Sequence, residues 1–122
     1  MSKFHEKLKL KIDQYAHLVY SLTKDFPREE LFGITSQLKR AALSVLLNYI
    51  EGYARGGGKV NKNFLKISYG SLKESEHLLL FSLKEGYLNQ EQYDQAAKLA
   101  DEIGAMLWKS IEGINDKSQI DS

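Results

Sequence analysis

Glu85-Gly86-Tyr87-Leu88-Asn89-Gln90-Glu91-Gln92 stops one helix and starts the next. Gly86 suits the left-handed C′ position that ends a helix, because it has no Cβ to clash. Asn89 is an N-cap whose side chain can accept a first-turn N–H, and Gln92 stands where a capping box returns the bond. A link this short reverses the chain, so the flanking helices lie antiparallel. Downstream, Tyr93, Ala96, Ala100, Ile103, Leu107, Ile111 and Ile114 recur at helical spacing on one face, over about residues 90–114. The tail after Asn115 is polar and expected to fray.

Upstream, a helix is expected over about 61–85, with Leu65, Tyr69, Leu72, Leu79 and Leu83 as its core stripe. Gly56-Gly57-Gly58 separates it from a helix over about 35–55 that has Thr35 as its N-cap. The glycines read as a connector. Gly58-Lys59-Val60 lacks the hydroxyl and the preceding strand that a phosphate-cradling P-loop requires. A first helix, about 4–24, carries Phe4, Leu8, Ile12, Tyr15, Val19 and Leu22 on one face and a solvated stripe of Lys3, Lys7 and Lys11. Phe26-Pro27 breaks it, since the residue before proline is pushed out of helical geometry. The expected fold over 1–122 is all-α: one domain, an antiparallel up-and-down four-helix bundle.

The composition supports a buried core, with 43% hydrophobic and 27% charged residues among 122. The chain has no cysteine, so disulfides, zinc fingers and thiol catalysis are excluded. No apolar run approaches a membrane span, and Met1-Ser2-Lys3-Phe4-His5-Glu6 lacks a signal peptide's apolar core, so a cytoplasmic location is expected. The net charge of +1 conceals an asymmetry: residues 1–66 carry 12 Lys/Arg against 6 Asp/Glu, and residues 67–122 carry 5 against 10. Either a basic face awaits an acidic partner, or the two halves neutralise each other within one bundle or between copies.

On the second helix Gln37, Arg40, Ser44, Asn48, Glu51 and Arg55 line one edge. The stripe reads as a solvated face or as a hydrogen-bonded seam against another helix or subunit. On the third helix Phe64, Ile67, Leu78 and Phe81 form a second apolar stripe beside the core one, widened by Leu80. A helix apolar on two sides is normally covered on two sides, which points to oligomerisation through this helix. Glu76 falls within the core stripe and calls for a partner, for which Arg40 is the candidate.

Lys59, Lys62, Lys66 and Lys73 align at the opening of the third helix, with Arg55 just before the glycines. Arg55, Lys59, Lys62 and Lys66 are candidate contacts for RNA or DNA phosphates, against the plainer reading of an ordinary lysine face. Glu74-Ser75-Glu76-His77 holds one Glu-x-x-His step, but a di-metal bundle needs a second copy and two further glutamates, so no metal site is assigned. Serines and three histidines scattered along helices give no nucleophilic triad, and no Gly-x-Ser-x-Gly elbow is present. Neither a catalytic residue nor a cofactor site is expected.

The run Phe26-Pro27-Arg28-Glu29-Glu30-Leu31-Phe32-Gly33-Ile34-Thr35-Ser36-Gln37-Leu38-Lys39-Arg40-Ala41-Ala42 resembles the signature of the four-helix bundle proteins encoded within 23S rRNA intervening sequences. Ser44, Asn48-Tyr49-Ile50-Glu51-Gly52 and Tyr69-Gly70-Ser71-Leu72-Lys73-Glu74-Ser75-Glu76 continue the match in order, over nearly the whole chain. Tyr49 and Ile50 depart from an Asn-Ile-Ala-Glu-Gly form with bulkier side chains. The family is similar to the accessory variability protein of diversity-generating retroelements. The resemblance implies a homopentameric ring, makes nucleic-acid binding more plausible, and by analogy alone suggests a reverse-transcriptase-like partner. The expectation is a non-enzymatic oligomeric scaffold held by Gln37, Arg40, Ser44, Asn48, Glu51 and Glu76. The alternatives are a protein-binding adaptor without a nucleic-acid role and, less favoured, an enzyme whose site is not recognisable.

Overall fold

A computed structural model describes residues 2–54 and 58–114, with only the backbone given for residues 58 and 59. Four helices follow one another: α1 (Lys3–Thr23), α2 (Ile34–Ala54), α3 (Gly58–Lys84) and α4 (Gln90–Glu112). A single 3₁₀ turn, Arg28–Glu30, lies in the link between α1 and α2. Each helix packs on its neighbour in sequence, and α4 closes back on α1. No backbone packing joins the diagonal pairs among the described residues. This is the up-and-down four-helix bundle.

Local chemistry sets most of the helix ends. Ser2 accepts the His5 N–H at 3.1 Å and starts α1. Gly86, at φ +80°, closes α3 in a Schellman motif: its N–H donates to Leu83 O at 3.0 Å, and the Tyr87 N–H donates to Ser82 O at 2.8 Å. The Asn89–Gln92 capping box opens α4 with both reciprocal bonds formed, at 2.8 and 2.9 Å. Thr35 is not the N-cap of α2. Leu31 and Gly33 follow the 3₁₀ turn in hydrogen-bonded register, so α2 begins at Ile34 and Thr35 is buried in its first turn. Likewise α3 begins at Gly58, inside the expected glycine connector.

The core reveals an alternation that a search for apolar residues misses. Leu65, Ser68, Leu72, Ser75, Leu79 and Ser82 recur at spacings of three and four along α3, and all are buried. Serine serves there as a small residue whose hydroxyl donates to a nearby backbone carbonyl. The Ser75 and Ser82 hydroxyls donate to Leu72 O and Leu78 O one turn back, and Ser68 donates to Val45 O on α2, each at 2.7 Å. Small side chains let backbones approach, which suits Ala41, Ala42 and Val45 on the facing stretch of α2. Leu83 and Tyr69, expected in the core stripe, are only half-buried. Tyr69 packs at a tilt beside Trp108 of α4, with ring centroids 5.4 Å apart.

Across the middle of the bundle, Tyr15 of α1 reaches the diagonal helix α3, its hydroxyl 2.7 Å from Ser75 Oγ. Burial holds this phenol well above its ordinary pKa, and it stays neutral. Nearer one end His5, Tyr49 and Tyr53 form a ring cluster, with centroids 3.6 Å apart for His5–Tyr53 and 5.1 Å for His5–Tyr49. The Tyr49 hydroxyl hydrogen-bonds to His5 Nδ1. His5 thus accommodates the bulk at position 49, while Ile50 points outward and is 39% exposed.

Two tests follow from this core. Ser75→Ala strands the buried Tyr15 hydroxyl and should cost about 1–3 kcal/mol in urea unfolding. Ser82→Ala, whose hydroxyl bonds only its own helix, should change stability by less than about 1 kcal/mol. Burial, seconded by nearby Lys9, lowers the His5 pKa below its ordinary 6.5. The unfolded chain therefore binds this proton more readily, and stability contributed by neutral His5 is lost as pH falls below about 6.5. The melting temperature should drop between pH 7.5 and 5.5, and His5→Gln should reduce that dependence.

Candidate assembly face

The second apolar stripe of α3 runs one residue ahead of its core stripe. Phe64, Ile67, Ser71, Glu74, Leu78 and Phe81 repeat the same spacing about 100° around the helix, on the side toward α2. Gly52 confirms this close pairing near the glycine link: a Cβ there would meet Phe64 Cβ at 3.2 Å and Asn61 Oδ1 at 2.9 Å. Phe64 and Leu78 are half-buried, whereas Ile67 and Phe81 are each 51% exposed.

The polar edge of α2 meets this stripe. Ser44 Oγ lies 2.8 Å from Ser71 Oγ, and Asn48 Nδ2 donates to both the Ser44 carbonyl and hydroxyl at 2.9 Å. Gln37 and Arg40 remain exposed, and Glu51 is half-buried on the same edge. Arg40, Gln37, Ser44, Ser71 and Glu74 line a shallow groove of about 230 Å³ between the two helices. The structure thus gathers Gln37, Arg40, Ser44, Asn48 and Glu51 of α2 and the second apolar stripe of α3 onto one face.

Glu76 departs from the expected arrangement. It does not pair with Arg40, whose Nη2 makes only a long 3.5 Å contact with Ser36 Oγ. Instead Glu76 Oε1 lies 3.4 Å from Lys73 Nζ, an ion pair without hydrogen-bond geometry. Five residues beyond Ser71, Glu76 has rotated away from α2, and Lys73 sits close to Gly104 of α4. Burial opposes the Lys73 charge, but Glu76 and Tyr69 more than offset it and raise the ammonium pKa.

The expected phosphate contacts are only partly visible. Lys66 is exposed and Lys62 half-buried on α3, while Arg55 and the Lys59 side chain lie outside the described residues. Among the described residues no three His, Asp or Glu side chains gather as a metal-binding group, and no helix is long and apolar enough to cross a membrane.

A second concavity went unmarked in the sequence reading. It lies where α1 ends and α2 begins, with two lobes of about 400 and 380 Å³ that share Tyr20, Leu31, Thr35 and Lys39. Arg28 and Lys24 join one lobe; Phe32, Ser36 and Arg40 join the other. Its signals were present as Pro27, which breaks α1, and as the cations Arg28, Lys39 and Arg40. Only the return of the link over α2 brings them together.

Comparison with known proteins agrees with the architecture. A crystal structure of a protein of unknown function from the S23 ribosomal protein family of Bacteroides thetaiotaomicron superposes with a TM-score of 0.83. It is 24% identical, and the match covers 89% of this chain and 98% of that one, a likeness that speaks for the fold. No curated protein matches the sequence. The pattern of the 23S rRNA-intervening sequence protein family matches residues 7–109. The chain belongs to that family.

Proposed function

We propose that this protein is a non-enzymatic scaffold that self-associates through the α2–α3 face and closes into a ring of five copies. The observation that carries the reading is the outer stripe of α3, where Ile67 and Phe81 stay half-exposed beside a polar groove. Apolar area of this kind gains by being covered, at roughly 25 cal/mol per Å². The polar groups of Gln37, Arg40 and Glu74 on the same face supply register, since each needs a partner once water is excluded. The number five comes from the family resemblance. A face that pairs with a different face on the next copy closes into a ring when the rotation allows.

The same reading gives the ring a role in binding RNA or DNA, through Lys62 and Lys66 with Arg55 and Lys59. Repeating a weak patch around a ring raises affinity through effective concentration. A protein-binding adaptor whose basic face meets an acidic partner is the competing reading, favoured by the basic balance of residues 1–66.

Light scattering on the eluted particle tests the assembly. A mass near five times the 13.9 kDa chain is expected. Ile67→Glu with Phe81→Glu should reduce it to one chain without loss of helical content. An unchanged mass for the double variant removes this face from the assembly.

A further inference from the structure

We propose that the cleft between the end of α1 and the start of α2 binds single-stranded nucleic acid. A backbone phosphate sits against Arg28, Lys39 and the first turn of α2, and an unstacked base lies on Phe32. The inference rests on the nucleic-acid part of the reading above but places the contact elsewhere. Lys62 and Lys66 lie on the opening turns of α3 beside the C-terminal part of α2, where Phe64 meets Gly52 and Ser68 bonds Val45, roughly 20 Å or more from the start of that helix.

The lining is one-signed. Lys24, Arg28, Lys39 and Arg40 contribute to the two lobes, and no carboxylate does. The acids of the same link are absent from it: Asp25 and Glu29 do not line the cleft, and Glu30 accepts a 2.8 Å hydrogen bond from Tyr87. Four cations around a concavity without acids leave positive charge for a ligand to neutralise.

The wall is also short of acceptors. Thr35 is 6% exposed, lies in the wall common to both lobes, and its Oγ1 has no hydrogen-bond partner. A buried hydroxyl without a partner is costly, and a rotation of the side chain that brings Oγ1 to the cleft surface would let it donate a hydrogen bond to a phosphate oxygen. Gln37 N–H donates to Gly33 O as the first turn of α2 closes, so the N–H groups of residues 34–36 face the start of the helix. Those N–H groups and the helix dipole favour negative charge at this corner, and the Glu30 carboxylate, held by Tyr87, lies against Gly33 outside the cleft lining.

The aromatic component separates nucleic acid from a simple anion. Phe32 is 93% exposed at the lip of the cleft, next to Leu31 at 50%. Tyr20 cannot take this part, because Lys39 Nζ already lies 4.7 Å from its ring centroid. That contact fixes the ammonium over the cleft and leaves Phe32 as the open ring. A bare aromatic beside cations is the pairing used to stack bases while holding their phosphates. A peptide of acidic residues alone would satisfy the cations but has no flat group for Phe32.

The test is binding of a fluorescent single-stranded RNA of mixed sequence, by anisotropy across a salt series, to the full chain and five variants. Phe32→Ala should weaken binding roughly tenfold with an unchanged salt slope, and Phe32→Trp should restore it. Arg28→Gln and Lys39→Gln should each weaken binding and reduce the salt slope by about 0.7. Light scattering on every variant should give the parent mass, so a lost assembly cannot imitate a lost contact. Failure of the parent chain to bind overturns both readings of nucleic acid. Binding lost in Lys62→Gln with Lys66→Gln but kept in all cleft variants overturns this one alone. Equal displacement of the RNA by polyglutamate also overturns it.

Discussion

The close approach of α3 to its neighbours depends on three buried hydroxyls. Ser68, Ser75 and Ser82 keep the inner face of α3 thin, and each hydroxyl is satisfied within the fold. An alanine stripe would be equally thin but would leave Tyr15 without its buried partner across the bundle. Larger residues at these positions would push α2 away and break the Ser44–Ser71 contact along the outer edge. The spacing of the core stripe therefore also sets the geometry of the surface stripe one residue ahead of it. That coupling ties the inside of the bundle to the face proposed for assembly.

The two ends of the molecule are built differently. At one end the rings of His5, Tyr49 and Tyr53 cluster at the junction of α1 with α2, beside a concavity of about 250 Å³. At the other, the chain crosses from α1 to α2 through Pro27 and a 3₁₀ turn, exposing Phe32 rather than burying it. The capped reversal between α3 and α4 is anchored to this end by the hydrogen bond from Tyr87 to Glu30.

What was legible in the sequence was what depends on near neighbours. Gly86, Asn89 and Gln92 declare their roles because caps are closed by residues one turn away. Thr35 misled because the preceding 3₁₀ turn, itself unannounced, carried the helical register one residue further upstream. The serine stripe was overlooked because it is invisible to apolar periodicity, although its spacing is regular. Arg40 and Glu76 were paired by type, but the rotation of α3 places Glu76 beside Lys73. The α1–α2 cleft is a product of chain crossing, and no local pattern encodes it.

The central claim is that the outer stripe of α3 is covered by another copy of the chain. Gly70 lies near that stripe, and a Cβ added there meets nothing within 4 Å in the single chain. Because the protein has no cysteine, Gly70→Cys places one thiol at the proposed seam. The rate of its reaction with a bulky maleimide, measured under reducing conditions over a dilution series, tests the claim most directly. The account predicts slow labelling at high concentration and fast labelling on dilution or with Phe81→Glu. Labelling that is equally fast at every concentration would contradict it.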